Sequence, residues 1–373
     1  MGRRRKNQDA DLELRVYQKH GAYFYVHRDG RWENLGRDKQ AANRKARVFN
    51  DPEGRFGTIV YWMDQFLIEC ETRVKAGTMA QRTVDDYRNA IEIATKKDGS
   101  ESDKTGWLRR YFAPPMTPLD VTPNHVKRFL QLGAQAGRST QVNREKACFS
   151  AFMSWLITTS QVPGLIVNPC LRASGVRRNP ESKRERYVTH EEFQAVWAKG
   201  SKSVRLLMEL TYRSLQRPES DIISWTTANV ITDSDGRRKL CFVQNKTGRP
   251  HQIALTPALE DMIQRPVGSV LKLREPLVKR LDGGAYTYDG ISAMLKKAIA
   301  AVNKERSKTD QPQIASFGFR DLKGKGATDM YFFAMKPIEQ IQQLLGHANK
   351  ATTEIYIKQR WRETAEPNNV QLG

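Results

Sequence analysis

Two stretches in the last quarter of the chain decide how the rest is interpreted: FRDLKGKGATD at residues 319–329 and LLGHANKATTEIY at residues 344–356. The first predicts a helix start that carries Arg320 and Lys323 three positions apart, on one helix face. The second ends in Tyr356, with a histidine nine residues earlier. A tyrosine can serve as a nucleophile, and converging cations can stabilise the charge of a phosphate under attack. The pattern therefore indicates phosphodiester chemistry.

Two upstream stretches add further cations: QRPESD at residues 216–221 and QNKTG at residues 244–248. Arg217 follows a predicted apolar helix, and its guanidinium can donate two hydrogen bonds to phosphate oxygens. Arg213, four residues earlier, is the competing candidate. Lys246 lies in a predicted turn between two strands, where its ammonium could protonate a leaving oxygen. Two nearby carboxylates either orient these cations or are ordinary acidic residues at a helix start. They are Glu219 and Asp221.

The order of these motifs is an arginine, a lysine in a turn, two cations on a helix, Leu-Gly-His and a tyrosine. This order resembles the tyrosine recombinase family, in particular phage-type integrases. The resemblance is strongest from about Tyr187 onward. It implies cleavage and rejoining of DNA through a 3′-phosphotyrosyl intermediate, with no metal and no cofactor. It also implies a catalytic set of Arg217, Lys246, Arg320, Lys323, His347 and the nucleophile Tyr356.

The helix pair departs from the commonest pattern of that family, which is His-x-x-Arg. Arg320 stands at the histidine position and stays protonated, so it can donate a hydrogen bond but cannot act as a general base. Lys323 stands at the arginine position and presents a point charge in place of a bidentate fork. Lys325 is a further candidate for that contact. Gly346 is predicted to end its helix in a left-handed conformation, which presents His347 at the helix end.

The composition agrees with a polyanionic partner. The chain has 373 residues, 62 Lys and Arg against 41 Asp and Glu, and a net charge of +21, which is typical of nucleic-acid binding but also of a solvated basic face or a membrane-surface binder. No apolar stretch approaches the ~20 residues of a membrane span, and no secretory signal is expected. The four cysteines and six histidines have no metal-ligand spacing, and no phosphate-binding glycine loop is found. A reduced cytoplasmic protein is the expectation.

The chain is predicted to be mainly α with small β elements (α+β), in three domains that follow the resemblance. Residues 1–55 are predicted to form an N-terminal β-hairpin and sheet module that binds arm-type DNA. Residues 56–172 are predicted to form a helical core-binding bundle, and residues 173–188 a linker. Residues 189–373 are predicted to form a mixed α/β catalytic domain.

Local signals predict individual elements within these domains. Asp29-Gly30 predicts a hairpin turn, followed by a helix from Ala41 to Phe49. Thr83 and Thr189 are predicted to cap the N-termini of two helices, and a third helix is expected to start near Thr122-Pro123. Three short strands are expected at residues 230–232, 239–243 and 251–255. Further helices are expected at 257–263, 291–302, 322–333 and 338–345, and a last helix is expected to contain residues 352–360 and hence the tyrosine.

The resemblance implies double-stranded DNA with core and arm attachment sites as the partner, a homotetramer on DNA, an accessory DNA-bending or directionality protein, and a bacterial, DNA-associated location. Candidate DNA contacts are Arg3, Arg4, Arg5, Lys6, Arg28, Arg31, Arg144, Arg178 and Lys325. Two other hypotheses stay open. One is a recombinase that resolves chromosome dimers, which the basic N-terminal module disfavours. The other is an inactive DNA-binding descendant of a recombinase, which the unusual Arg320 and Lys323 favour.

Overall fold

The computed structural model describes residues 11–51, 54–182, 184–263 and 274–357. The chain divides into two compact units, an N-terminal unit that ends at Ser182 and a C-terminal unit that follows it. This division falls inside the predicted linker at 173–188. The boundaries predicted at residues 55 and 172 remain predictions, because the sheet module and the helical bundle belong to one unit.

The N-terminal unit begins with a three-stranded antiparallel sheet in the order β1-β2-β3, with strands β1 (Val16–Lys19), β2 (Ala22–Val26) and β3 (Trp32–Gly36). The predicted turn is confirmed, since Gly30 has φ +86° between β2 and β3. Helix α1 (Lys39–Phe49) packs on one sheet face through a small core. The core residues are Leu12, Val16, Tyr25, Leu35, Ala42 and Ala46.

Five helices complete this unit: α2 (Ile59–Lys75), α3 (Gln81–Ile91), α4 (Trp107–Tyr111), α5 (Pro123–Gln135) and α6 (Ser139–Thr158). Their shared core is rich in aromatic rings, as in the stacked pair Phe112–Phe149, whose centroids lie 4.1 Å apart. The predicted helix start near Thr122-Pro123 is confirmed, and the side chains of Thr122 and of the third helical residue form a capping box.

The prediction that Thr83 caps α3 is wrong. The helix begins at Gln81, and Thr83 lies within its first turn. The preceding residue, Ala80, has no side-chain oxygen to act as a cap, so the true start carries no local signal. The short helix α4 was not predicted.

The C-terminal unit combines helices with a second antiparallel sheet, of order β4-β5-β6. The strands are β4 (Val230–Thr232), β5 (Arg238–Val243) and β6 (Pro250–Ala254). The helices are α7 (His190–Lys199), α8 (Lys202–Ser214), α9 (Pro257–Ile263), α10 (Tyr288–Lys308), α11 (Phe319–Phe332), α12 (Ile338–Leu345) and α13 (Lys350–Glu354). Thr189 caps α7 with the predicted capping box.

One large core joins most of these elements, and a second, small cluster packs α11 against α12. The large core includes Leu207 and Leu210 of α8, Leu240 of β5, Leu295 of α10 and Leu322 of α11. The predicted α+β class is confirmed, with helices predominant and two small antiparallel sheets. Within the described ranges, no helix is both long and apolar enough to cross a membrane.

Candidate active site

Arg217 lies just beyond the end of α8, where the chain turns sharply. Leu215 ends that helix in a left-handed conformation with φ +54°, and its side chain is fully buried. A β-branched residue would be strained there, and leucine tolerates it at some cost because its burial holds the turn. Arg217 is partly buried, with 22% of its side chain exposed, whereas Arg213 sits on the more exposed side of the helix and pairs with Glu209.

Asp221 joins two of the predicted site segments. Its carboxylate is buried, one oxygen lies 3.5 Å from Nη1 of Arg217, and the other accepts the backbone N–H of Asn245 at 2.9 Å. Asn245 and the exposed Lys246 belong to the turn that connects β5 and β6. The Asp221 carboxylate therefore contacts both the Arg217 guanidinium and the backbone of the lysine turn. These contacts favour the first of the two predicted alternatives, in which the carboxylate orients nearby cations.

Arg320 and Lys323 lie three positions apart in α11, as predicted, but their surroundings differ. Arg320 lies in the first turn of α11 with 70% of its side chain exposed, and it pairs with Glu219. Lys323, one turn later, is only 3% exposed. Helix α11 packs closely against α8. At the point of contact, an added Cβ at Gly326 would overlap the carbonyl oxygen of Tyr212. That close packing turns the second cation inward and leaves the first at the edge.

Lys323 is the buried cation of the site. Its Nζ lies 4.7 Å from the ring centroid of Tyr356, and it has no hydrogen-bond partner among the described residues. Burial lowers the pKa of the Lys323 ammonium to about 7; the positive charges of Arg217 and Lys246 add to this effect, and Asp221 opposes it. A buried amine without a hydrogen-bond partner is costly when charged, and a nearby anion would stabilise that charge.

His347 follows the end of α12, where Gly346 takes a left-handed conformation with φ +70°, as predicted. Its Nδ1 lies 3.2 Å from the hydroxyl of Thr353, and its ring centroid lies 5.2 Å from that of Tyr356. Burial lowers the pKa of His347 to about 4, with further contributions from Lys323 and two other cations of the site. The imidazole is therefore neutral at physiological pH.

Tyr356 lies in a turn and not in the predicted helix. Helix α13 ends at Glu354, and the Tyr356 N–H donates to the carbonyl of Thr353 at 2.9 Å. The surrounding residues are largely β-branched, which disfavours a helix. The ring is partly buried between His347 and Lys323. Residues 358–360 of the predicted helix lie outside the described residues.

Lys325 was predicted to contact DNA and to share the role of Lys323, and the structure contradicts both expectations. The side chain is 1% exposed. Its Nζ lies 2.9 Å from Asp329 and 2.8 Å from Nδ1 of His190. Asp329 also accepts the hydroxyls of two tyrosines, so the lysine belongs to a buried structural network on another face of α11. Helix phase explains the result, since residues two apart point to different sides.

The other predicted DNA contacts divide into two groups. The first group is exposed to solvent and consists of Arg28, Arg31, Arg144 and Arg178. Arg3, Arg4, Arg5 and Lys6 lie outside the described residues. No group of metal-ligating side chains was found within the described ranges.

Two buried glutamines were missed by sequence reasoning. Gln216 and Gln244 are both fully buried, and Nε2 of Gln244 donates to Oε1 of Gln216 at 2.7 Å. In the two upstream motifs, Gln216 directly precedes Arg217, and Gln244 lies two residues before Lys246. A glutamine in a polar stretch carries no signal that it will be buried, so only the fold reveals the pair.

The chain resembles a known protein family in sequence and solved structures in fold. Residues 186–362 match the model of the phage integrase family. The fold resembles a lambda integrase dimer bound to a COC′ core site, with a TM-score of 0.61, 18% identity, and 99% of this chain and 100% of that chain covered. It also resembles the Tn1549 transposon integrase in complex with circular intermediate DNA, with a TM-score of 0.52, 14% identity, and 80% and 94% covered. No curated protein sequence is significantly similar.

Proposed function

We propose that this chain, whose residues 186–362 match the phage integrase family of tyrosine recombinases, cleaves and rejoins DNA at specific sites through a covalent bond to Tyr356. One observation carries the assignment of the nucleophile. A buried lysine ammonium, Lys323, faces the Tyr356 ring with no carboxylate or carbonyl bound to it in the described part of the chain. Such a site favours an incoming anion, and a DNA phosphate supplies one.

The chemistry proposed is a transesterification. The Tyr356 hydroxyl loses its proton to solvent as its oxygen attacks the phosphorus, the bond from phosphorus to the 5′ oxygen breaks, and a 3′-phosphotyrosyl link forms. The departing 5′ oxygen takes a proton from Lys246, which lies in an exposed turn. The 5′ hydroxyl of a partner strand then returns a proton to Lys246 and attacks the same phosphorus, and the tyrosine leaves and regains its proton from solvent. No bond energy is lost, so neither step needs a nucleotide cofactor.

The remaining site residues hold the phosphate. Arg217, oriented by Asp221, donates to two non-bridging oxygens. Lys323 supplies a charge at close range. His347 is neutral, and if its Nδ1 accepts the Thr353 hydroxyl, its Nε2 carries the hydrogen and can donate to phosphate. Arg320, at the exposed start of α11, remains a candidate contact on the rim of the site.

The same proposal covers partners and location. The charge of +21 and the lambda integrase structures on core-site DNA and on a Holliday junction support double-stranded DNA as the substrate and a tetramer as the active assembly. We place the protein on DNA in the bacterial cytoplasm, where it integrates or excises a prophage or mobile element with an accessory DNA-bending or directionality protein. Distal arm-type DNA is assigned to the N-terminal sheet, whose outer face carries Trp32 and Lys19 in contact.

A catalytically inactive DNA-binding protein is the second candidate. The observation that favours it is the loss of the histidine and arginine usual at the positions of Arg320 and Lys323. A protein of this kind would keep its DNA affinity and form no adduct, so the two candidates differ in one measurable product.

The test uses a nicked suicide substrate, which traps the covalent adduct. Wild-type protein is expected to form an adduct of protein and DNA. Tyr356→Phe removes one oxygen and should abolish the adduct while leaving DNA affinity unchanged. Tyr331→Phe is the matched control, because Tyr331 packs in the same small cluster but lies in α11. An adduct that survives in Tyr356→Phe would refute this nucleophile, and no adduct from wild-type protein would favour the inactive candidate.

A further inference from the structure

Three segments of the candidate site meet at one buried pair of amides. Gln216 precedes Arg217, Gln244 opens the turn that carries Lys246, and both side chains are fully buried. Buried amides are costly unless their hydrogen bonds are satisfied, so their partners are informative.

Gln216 connects the end of α8 to the end of α12. Its Nε2 donates to the carbonyl oxygen of Leu344 at 2.6 Å and to that of Ser214 at 3.1 Å. Its Oε1 accepts Nε2 of Gln244 at 2.7 Å. The amide therefore has its donor and acceptor groups engaged on three separate segments.

Gln244 connects the lysine turn to the same helix end. Its Nε2 also donates to the carbonyl oxygen of Leu345 at 3.2 Å, and its Oε1 accepts the hydroxyl of Thr247 at 2.7 Å. Thr247 follows Lys246, so the side chain of Gln244 bridges the base of the turn. The turn is thereby bonded to α12 as well as closed on itself.

The carbonyls that receive these bonds are the last ones of α12, which no intrahelical N–H can satisfy. They immediately precede Gly346 and His347. A Cβ at Gly346 would lie 2.5 Å from Nε2 of Gln244, so only glycine admits the amide so close to the helix end. The two glutamines therefore help to cap α12 just before His347, together with His251, whose Nε2 lies 3.1 Å from the Leu344 carbonyl oxygen.

We propose that Gln216 and Gln244 act as one amide clamp that holds Arg217, Lys246 and His347 in their relative positions for DNA cleavage. They are positioning residues, since neither reaches the phosphate. The inference rests on the proposed function. Its physical basis is that cleavage needs donors within a fraction of an ångström, and a displacement of ~1 Å can cost on the order of 100-fold in rate. Binding of DNA is spread over many phosphates and tolerates such a shift.

The experiment measures single-turnover cleavage of a core-site suicide substrate and the Kd for the same DNA. The variants are Gln216→Met, Gln244→Met and the double variant. The control is Gln343→Met, because Gln343 is an exposed glutamine of α12, the helix that the two buried glutamines contact. Each single variant is expected to cleave on the order of 100-fold more slowly. The double variant should be no slower than the worse single one, since one clamp can be broken only once. Kd should change by less than about threefold in all of them.

The outcomes separate the clamp from the function on which it rests. If wild-type protein forms no adduct, the proposed function fails, and the clamp fails with it. If wild-type protein cleaves but the single variants cleave at its rate, or if their losses multiply in the double variant, the clamp alone is refuted. Cleavage that falls only in proportion to the folded fraction, measured by circular dichroism, would also refute it.

A second variant covers failure of the methionine variants to fold. Gln244→Glu keeps the shape of the side chain and an oxygen for Thr247, but it replaces the amide donor to Leu345 and Gln216 with a carboxyl oxygen and adds a buried ionisable group. It is expected to fold and to lose cleavage by the same order of magnitude. Wild-type cleavage by a folded Gln244→Glu protein would contradict the proposal.

Discussion

Lys323 should make the stability of this protein depend on pH in a way that one substitution removes. The side chain is 3% exposed, and burial with neighbouring positive charge lowers its pKa to about 7. In the unfolded chain a lysine has a pKa of about 10.4. Between about pH 7 and pH 10 the unfolded chain therefore binds this proton and the folded protein does not.

The sign follows from that difference in bound protons. Stability rises with pH wherever the unfolded state binds more protons, by ~1.4 kcal/mol for each pH unit and each proton. The cost of burying the charge is fully present below pH 7, where both states are protonated, and it is relieved as pH rises above 7. From pH 7 to pH 9, Lys323 should thus add about 2–3 kcal/mol to the free energy of unfolding.

The substitution Lys323→Met keeps much of the side-chain volume and has no proton to lose. At pH 6 the variant should be the more stable protein, and its advantage over wild type should shrink by about 2–3 kcal/mol by pH 9. Other titrating groups are common to both proteins and cancel in the difference. Urea titrations from pH 6 to pH 9 measure it, and Lys336→Met, at an exposed lysine beyond the same helix, is the control.

Two results would refute this reasoning. Wild type and Lys323→Met could show parallel stability profiles, in which case the amine carries no penalty. Alternatively, the advantage of the variant could grow with pH, which a lysine whose pKa is lowered on folding cannot produce. Protonation of Lys323 should also make DNA affinity depend on pH. A phosphate beside Lys323 restores its charge, so core-DNA affinity of wild type should fall from pH 7 to pH 9 more steeply than that of the variant.

Three further predictions concern other residues. Asp329→Asn leaves the buried ammonium of Lys325 without a carboxylate and should cost about 3–5 kcal/mol of unfolding free energy in urea titrations; an unchanged midpoint would mean that the pair is not a stabilising network. Arg320→His restores the residue common in the family at an exposed position and should retain cleavage of the suicide substrate, whereas complete loss would show that the permanent charge is required. Trp32→Ala should weaken binding to arm-type DNA in gel shifts and spare core DNA; equal loss on both fragments would assign Trp32 a structural role.

Much of the local structure could be predicted because its signals lie within a few residues. The capping box at Thr189, the helix start near Thr122, the turn at Gly30 and the left-handed Gly346 all depend on contacts between near neighbours in the chain. The same locality explains the failure at Thr83, where a plausible cap lies inside the helix and Ala80, the true cap position, has no signal.

The order of the motifs was sufficient to indicate the family and the candidate nucleophile Tyr356, since these depend on residue types in sequence. Only the tertiary structure decided which cations face the tyrosine. Arg320, Lys323 and Lys325 lie within six positions on one helix, yet they end at an exposed rim, a buried site and a structural network. Helical periodicity sets the angles between these side chains. The packing of α11 against α8 decides which neighbours each side chain contacts, and that packing joins residues about a hundred positions apart.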